Sequence, residues 1–351
     1  MLASLVVTAH AQFTAGNLAV VHVGDGTTAL SSLGNNVAID EYSTIGGFVQ
    51  SIAIPQTGAT PFSMTGTATA EGALSLAQDG ASLTFAGYRS PRLVSGTLAS
   101  SASATIPRTI GQITAAGSFT MPVASTTAFN LNSFRSAVTD GANNYWALGV
   151  GSGLRYMGNS AAEATIETAQ TTLRVANIVG GNLLFTAAGA VFQVAGEPQS
   201  GTAIPTTVIS TLGTGIGTAS SYDFAFNAGM TLAYIADDRS TVNGGGIQRW
   251  DWNGSAWALT YTLNSGGTGG ARGLAVDFSG GNPIVYATTT ETANNRLIKI
   301  IDTGASSAET DLTTSGLVRV FRGLEFTPVP EPSTLALLGL GLAGFFARRR
   351  R

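Results

Sequence analysis

Cysteine is absent from the 351 residues. No disulfide, thiol nucleophile or zinc-thiolate site is therefore available, and stability must come from the core. Charge is sparse: 11% of residues are Asp, Glu, Lys or Arg, where ordinary globular chains carry about 25%. The surface must then be built from Ser, Thr, Asn, Gln and Gly. Lysine occurs once, at Lys299, and histidine twice, at His10 and His22. Histidine-based metal centres and repeated Ser-His-Asp sets cannot be assembled from so few imidazoles. His22, inside an apolar strand, is expected to be structural. The Asp-Gly pairs are explained by turn chemistry, and no calcium-loop spacing is present. The glycine clusters at 213–217 and 149–153 open no helix, so a dinucleotide loop is not supported. No metal and no cofactor is expected.

The formal net charge is −3. It conceals an uneven distribution. Apart from Arg348, Arg349, Arg350, Arg351 and Glu331, the chain has 13 basic and 19 acidic residues. An acidic body argues against nucleic acid, because phosphate binding needs a basic footprint.

What is present is a repeat. An apolar stretch runs into a turn glycine, and a second apolar stretch with an aromatic follows. Copies occupy residues 74–88, 134–150, 173–188, 222–237 and 272–289. Their turn glycines, Gly80, Gly141, Gly181, Gly229 and Gly281, are spaced by 61, 40, 48 and 52 residues. A period near 50 made of strands is the pattern of propeller blades. The second stretch is apolar on both faces, as in sheets stacked face to face. Residues 244–263 complete one blade: two alternating strands flank Asn253-Gly254, a pair that favours a two-residue type I′ hairpin. Residues 321–328 form a first strand without a successor, and 17–24 a second strand without a predecessor. Joining them closes the ring and removes an open sheet edge. The expected fold is all-β, a propeller of six blades. A seventh blade would have to lie in the long 74–134 interval. A β-helix or β-sandwich is the alternative.

The two ends differ from the body. Residues 1–11 carry Leu5-Val6-Val7 and the small-x-small set Ala9-His10-Ala11, which reads as a truncated signal peptide. The body is assigned to 12–328 and the last segment to 329–351. That segment begins with Val329, Pro330, Glu331 and Pro332. A run of apolar and glycine residues over 335–347 follows, including Leu335, Leu337, Leu338, Leu340, Leu342, Phe345 and Phe346. The four arginines 348–351 come last. Thirteen helical residues reach ~20 Å, short of the roughly 30 Å hydrocarbon core. The arginines act as a stop-transfer cluster and keep their side cytoplasmic.

This order resembles the PEP-CTERM sorting signal, and the resemblance covers only those residues. It implies export, transient anchoring in the inner membrane through a short hydrophobic helix, and processing by exosortase near Pro330-Glu331-Pro332. It further implies a cell-surface or matrix destination in a Gram-negative bacterium, often one that makes exopolysaccharide and biofilm.

Two sets of body residues are candidate ligand contacts. Arg135, Arg174, Arg272 and Arg322 each open a first strand, so repeat symmetry brings them to one ring around the channel. Such a ring is expected first to make inter-blade hydrogen bonds to carbonyls or carboxylates; its functional use would be to bind an anion or uronate. Trp250, Trp252 and Trp257 fall on one sheet face of the hairpin, where a polysaccharide could stack or a neighbouring blade could pack. No catalytic residue is nominated. The expectation is a non-enzymatic exported protein that binds glycans or envelope proteins, with an exported polysaccharide hydrolase or lyase as the alternative.

Overall fold

A computed structural model of the chain describes residues 12–159 and 161–329. They form six four-stranded antiparallel sheets. The first sheet combines β1 (Leu18–Val23), β2 (Val37–Tyr42) and β3 (Phe48–Ile54) with the last strand, β24 (Val320–Phe326). The second holds β4 (Leu74–Leu76), β5 (Ser82–Tyr88), β6 (Arg108–Thr114) and β7 (Phe119–Ser125). The third holds β8 (Phe134–Thr139), β9 (Tyr145–Gly149), β10 (Leu154–Tyr156) and β11 (Ala164–Glu167). The fourth is β12 (Leu173–Val179), β13 (Asn182–Ala187), β14 (Ala190–Val194) and β15 (Thr206–Ser210). The fifth is β16 (Ser221–Phe226), β17 (Leu232–Asp237), β18 (Gly246–Trp252) and β19 (Trp257–Leu263). The sixth is β20 (Ala271–Asp277), β21 (Ile284–Thr289), β22 (Arg296–Ile301) and β23 (Glu309–Thr314).

The inner strands touch in cyclic order, β4 to β8, β12, β16, β20, β24 and back to β4. This is a six-bladed propeller. It is closed as the two orphan strands require, with β24 inside β1 in one composite blade. Neither a β-helix nor a two-sheet sandwich is compatible with six radial sheets. The long 74–134 interval holds no seventh blade. Its extra length is the connection between β5 and β6, wrapped around the fully buried Arg108. That guanidinium donates to the carbonyls of Ala99, Ser101, Ile106 and Asn132 at 2.9–3.1 Å.

Six apolar clusters fill the six blade interfaces. One joins Val21 and Ile39 to Leu83 and Phe85; the next joins Tyr88 and Ile110 to Phe134 and Tyr145. The second strands β1, β5 and β9 are buried along their whole length. Each is packed between two neighbouring sheets, which is why both of its faces are apolar. Each large apolar side chain buried this way contributes about 1.5–3 kcal/mol, so the ring is held by stacking, with no covalent tie.

One local expectation is corrected. Asn253-Gly254 does not form a two-residue hairpin. The Asn253 carboxamide oxygen accepts from the backbone N–H of Ser255 and Ala256 at 3.0 and 2.9 Å, and Asn253 N–H donates to Ala256 O. The side chain thus builds a four-residue loop. Trp252 pairs with Trp257 instead of Ser255, and Trp250 with Leu259. The leader 1–11 and the hydrophobic helix of the last segment lie outside the described residues. No α-helix occurs among the described residues, which include one 3-10 turn at Thr241–Asn243.

Candidate functional site

The central channel has two unlike ends. At one end the inner strands begin. Arg135, Arg174, Tyr222, Arg272 and Arg322 sit at the same point of five inner strands, each within an irregularity of the ladder to the second strand. A bulge re-aims the side chain that occupies it, and here it brings the expected arginines together. Each guanidinium donates at least one hydrogen bond to the protein, while the buried Nε of Arg135, Arg174 and Arg322 and Nη1 of Arg322 have no protein partner. Arg135 donates to Leu173 O at 3.0 Å, and Arg322 to Gly66 O at 3.0 Å. Arg174 donates to Ser220 Oγ at 2.6 Å, and Arg272 to the Asp238 carboxylate at 3.1 Å. The Tyr222 ring lies against two of them, 4.4 Å from the Arg174 guanidinium and 5.5 Å from that of Arg272.

A buried carboxyl, Glu71, lies at the same end. It accepts from Tyr88 Oη at 2.5 Å and Thr65 Oγ1 at 2.9 Å. Burial pushes its pKa up, although those hydrogen bonds oppose the shift. Burial also lowers Arg322, helped by the charge of Arg272 and opposed by Glu71, to about 10. It therefore stays charged at neutral pH. The space left is small, a cavity of about 20 Å³ touching Glu71, Tyr222, Arg272 and Arg322. That is room for roughly one water. Two glycines explain the tightness. A Cβ on Gly323 would meet Leu74 N at 2.2 Å, and one on Gly273 would meet Arg322 O at 2.6 Å. Gly323 N–H donates to Gly72 O across this approach.

At the other end the inner strands finish and the channel widens. A throat of about 420 Å³ has a mixed wall, in which Leu76, Phe226, Val276 and Phe326 alternate with Gln78, Asn177 and Glu325. One carboxyl group, Glu325, lines the throat. Asp223, 2% exposed, borders the small cavity of the arginine end instead. Asp223 accepts from the backbone N–H of Phe224 and Leu274 at 2.9 and 3.0 Å. Burial, reinforced by the neighbouring charge of Glu325, pushes Asp223 well above the carboxylate range; Asn177 opposes the shift. Burial raises Glu325 to about 7, opposed by hydrogen bonds from the backbone of Phe326 and Leu76. A cavity whose apolar side chains stand beside a polar group of perturbed pKa is a common form of ligand site.

The chain also leaves the ring here. Phe326 is part of the throat wall, and Val329 N–H donates to Gly80 O at 2.9 Å, in the turn that follows Ala77 and Gln78 of the rim.

The tryptophans are divided. Trp250 is 6% exposed and packs with Val175, Leu184 and Phe224 between two blades. Trp257 packs edge-on against Phe226 and Trp252 at 5.4 and 5.8 Å. Trp252 alone of the three is open to solvent, at 40%. Repeat logic overlooked Tyr222, Asp223, Glu325 and Glu71. A column-by-column alignment of the inner strands could have flagged Glu325. The matching positions hold Ser75, Val138, Asn177, Ala225 and Ala275.

Residues 328–351 match the family model of the PEP-CTERM protein-sorting motif. The chain therefore carries that sorting motif on a six-bladed propeller. The motif implies an exported protein, transiently anchored in the membrane and processed by exosortase, a membrane enzyme. No curated protein matches the sequence. Among solved structures, similarity extends to a hypothetical selenium-binding protein from Sulfolobus tokodaii. It is 8% identical with TM-score 0.47, over 89% of this chain and 94% of that one. The β-propeller domain of Cps50 (Swd1) from Myceliophteria thermophila is 11% identical with TM-score 0.47, over 89% and 93%. A putative 6-phosphogluconolactonase from Bacteroides fragilis is 12% identical with TM-score 0.45, over 85% and 82%. At these values the likeness is one of outline.

Proposed function

We propose that the processed body is a non-enzymatic binding propeller of the cell surface or extracellular matrix, and that its partner enters the throat. The observation that carries this reading is an open throat of about 420 Å³ in which Phe226, Val276 and Phe326 stand beside the carboxyl of Glu325. The chemistry suits a segment of another envelope protein that presents an apolar side chain beside a cationic or N–H head. Glu325 accepts that head in its ionised form. An acidic body favours such a partner at long range as well.

The sorting segment departs beside the throat. While the anchor is attached, the throat faces the membrane at short range; five or six extended residues beyond Val329 span at most ~20 Å. Cleavage then frees the mouth. A Gram-negative envelope, a matrix rich in exopolysaccharide and a biofilm setting belong to this proposal.

The competing reading is an exported polysaccharide hydrolase or lyase, favoured by one observation: Glu325, whose pKa is raised to about 7, is a throat carboxyl suited to proton transfer. Incubating the full-length chain with a panel of acidic and neutral polysaccharides separates the two. Binding propellers release no product. Turnover that disappears in Glu325→Gln would replace the binding role with catalysis.

A further inference from the structure

Asparagine followed by glycine occurs twice in the chain, at Asn243-Gly244 and Asn253-Gly254. The pair is chemically distinct because glycine has no Cβ to shield its amide nitrogen. That nitrogen can therefore reach the carboxamide carbon of the asparagine before it. The fold treats the two copies in opposite ways. Asn243 ends the 3-10 turn Thr241–Asn243, and Gly244 N–H donates to Thr241 O at 3.2 Å. The main chain of Gly244 is also pressed against the loop that enters β16, where an added Cβ would meet Thr214 O at 2.6 Å. Both the nucleophile and the backbone around it are held.

In the β18–β19 loop the same dipeptide is free and activated. Asn253, Gly254 and Ser255 are all exposed. Among the described residues no hydrogen bond engages Gly254 N–H, and a Cβ on Gly254 would have nothing within 4 Å. Asn253 Oδ1 accepts three hydrogen bonds: from Ser255 N–H at 3.0 Å, Ser255 Oγ at 3.0 Å and Ala256 N–H at 2.9 Å. Two backbone donors on one atom identify it as the oxygen of the carboxamide. Donors gathered on a carbonyl oxygen polarise its carbon and stabilise negative charge that develops on the oxygen during attack. The other carboxamide atom, Nδ2, has no partner among the described residues. Attacking atom, oxyanion cradle and unheld leaving group thus meet at one residue.

We infer that Asn253 is a self-acting deamidation site and that the fold keeps Asn243 inert. Gly254 N loses its proton to hydroxide and attacks Asn253 Cγ, forming the new N–C bond of a succinimide ring. The charge collecting on Oδ1 is met by the Ser255 and Ala256 donors. The Cγ–Nδ2 bond breaks, and the nitrogen takes a proton and leaves as ammonia. Water then adds to either ring carbonyl and opens the ring to an aspartyl or an isoaspartyl linkage. One water is consumed, one ammonia is released, and nothing is oxidised or reduced. The two products differ in structure. An aspartyl carboxylate accepts the same N–H groups and keeps the loop. An isoaspartyl linkage adds a methylene to the main chain and displaces Trp252 from Trp257, which it meets edge-on at 5.8 Å. The site lies on the outer hairpin of its blade and does not depend on the role given to the throat.

The test incubates the full-length chain in detergent at mildly alkaline pH and follows the peptides that hold Asn253 and Asn243 by mass spectrometry. Conversion of amide to acid is expected to run about tenfold faster at Asn253 than at Asn243. In denaturant both turns are lost, and the two rates should converge. Gly254→Ala shields the attacking nitrogen and should slow conversion at Asn253 about tenfold. Ser255→Ala removes one donor at the surface and should slow it several-fold, with melting temperature unchanged. The Trp252 indole N–H resonance should move in the isoaspartyl fraction and stay in place in the aspartyl one. Equal rates at the two sites in the folded chain would overturn the inference, as would a rate ratio that survives denaturant. A Ser255→Ala chain that converts as fast as the native one would remove the oxyanion cradle. An indole signal that moves equally in both fractions would contradict the split between products.

Discussion

The two ends of the channel are lined by the same six inner strands, yet one is closed and the other open. At the arginine end, glycines 273 and 323 let backbones approach, and each guanidinium is met by a carbonyl, hydroxyl or carboxylate. At the throat, the strand ends leave a cavity of about 420 Å³ whose wall holds Phe226, Val276 and Phe326 beside Glu325. Most of the charge at the closed end serves to join blades. The carboxyl of Glu325 at the open end faces space that a partner can fill. Charge around a propeller axis therefore marks a site only where it has not been consumed by the ring.

Substitutions can break this contrast. Arg322→Met removes the buried guanidinium that bonds Gly66 O and should cost about 1.5–3 kcal/mol, read by denaturant unfolding, without altering partner binding by the fraction that folds. Gly323→Ala drives a methyl into the backbone of Leu74 and should cost about 1–3 kcal/mol. Tyr222→Leu removes the ring beside Arg174 and Arg272 and should cost about 1–2 kcal/mol. A loss of throat binding in this last variant, at unchanged stability, would blur the division between the ends.

The largest effect on binding, and a pH-dependent one on stability, is expected at Glu325. Its folded pKa is raised from 4.5 to about 7, so the folded state holds its proton more tightly than the unfolded state. The stabilisation is complete below pH ~4.5 and is lost as pH rises through about 7. Melting temperature should decline across that window in the native chain, and Glu325→Gln should flatten the decline. An unchanged slope would show that Glu325 is solvated and the throat less apolar than drawn.

Much of the ring was legible in the sequence because its signals are local. A turn glycine between two apolar stretches recurs in each of five copies. The unpaired strands at 17–24 and 321–328 close on each other as strand logic requires. The convergence of Arg135, Arg174, Arg272 and Arg322 was legible for the same reason, since symmetry carries equivalent residues to one end. Whether they were free to bind was not, because their acceptors, Leu173 O or Ser220 Oγ, lie on the next blade. The throat was hidden for a different reason. Glu325 stands alone at its repeat position, so no recurrence announces it. His22 meets Asp40 at 2.7 Å, a pairing that depends on the register of β1 and β2 across a 13-residue loop, which no hydrophobic pattern fixes. Asn253 misled because its side chain, which favours a tight turn, captured two further N–H groups and lengthened the loop.

Methyl and guanidinium NMR on one sample tests the contrast most directly. A short amidated peptide of leucine and lysine is titrated into the full-length chain in detergent. The Ala225 and Ala275 methyl signals at the throat should shift in a saturable way, and the Arg322 Nε signal at the closed end should stay still. Movement of Arg322 with silent throat methyls would contradict the assignment of the open end as the site.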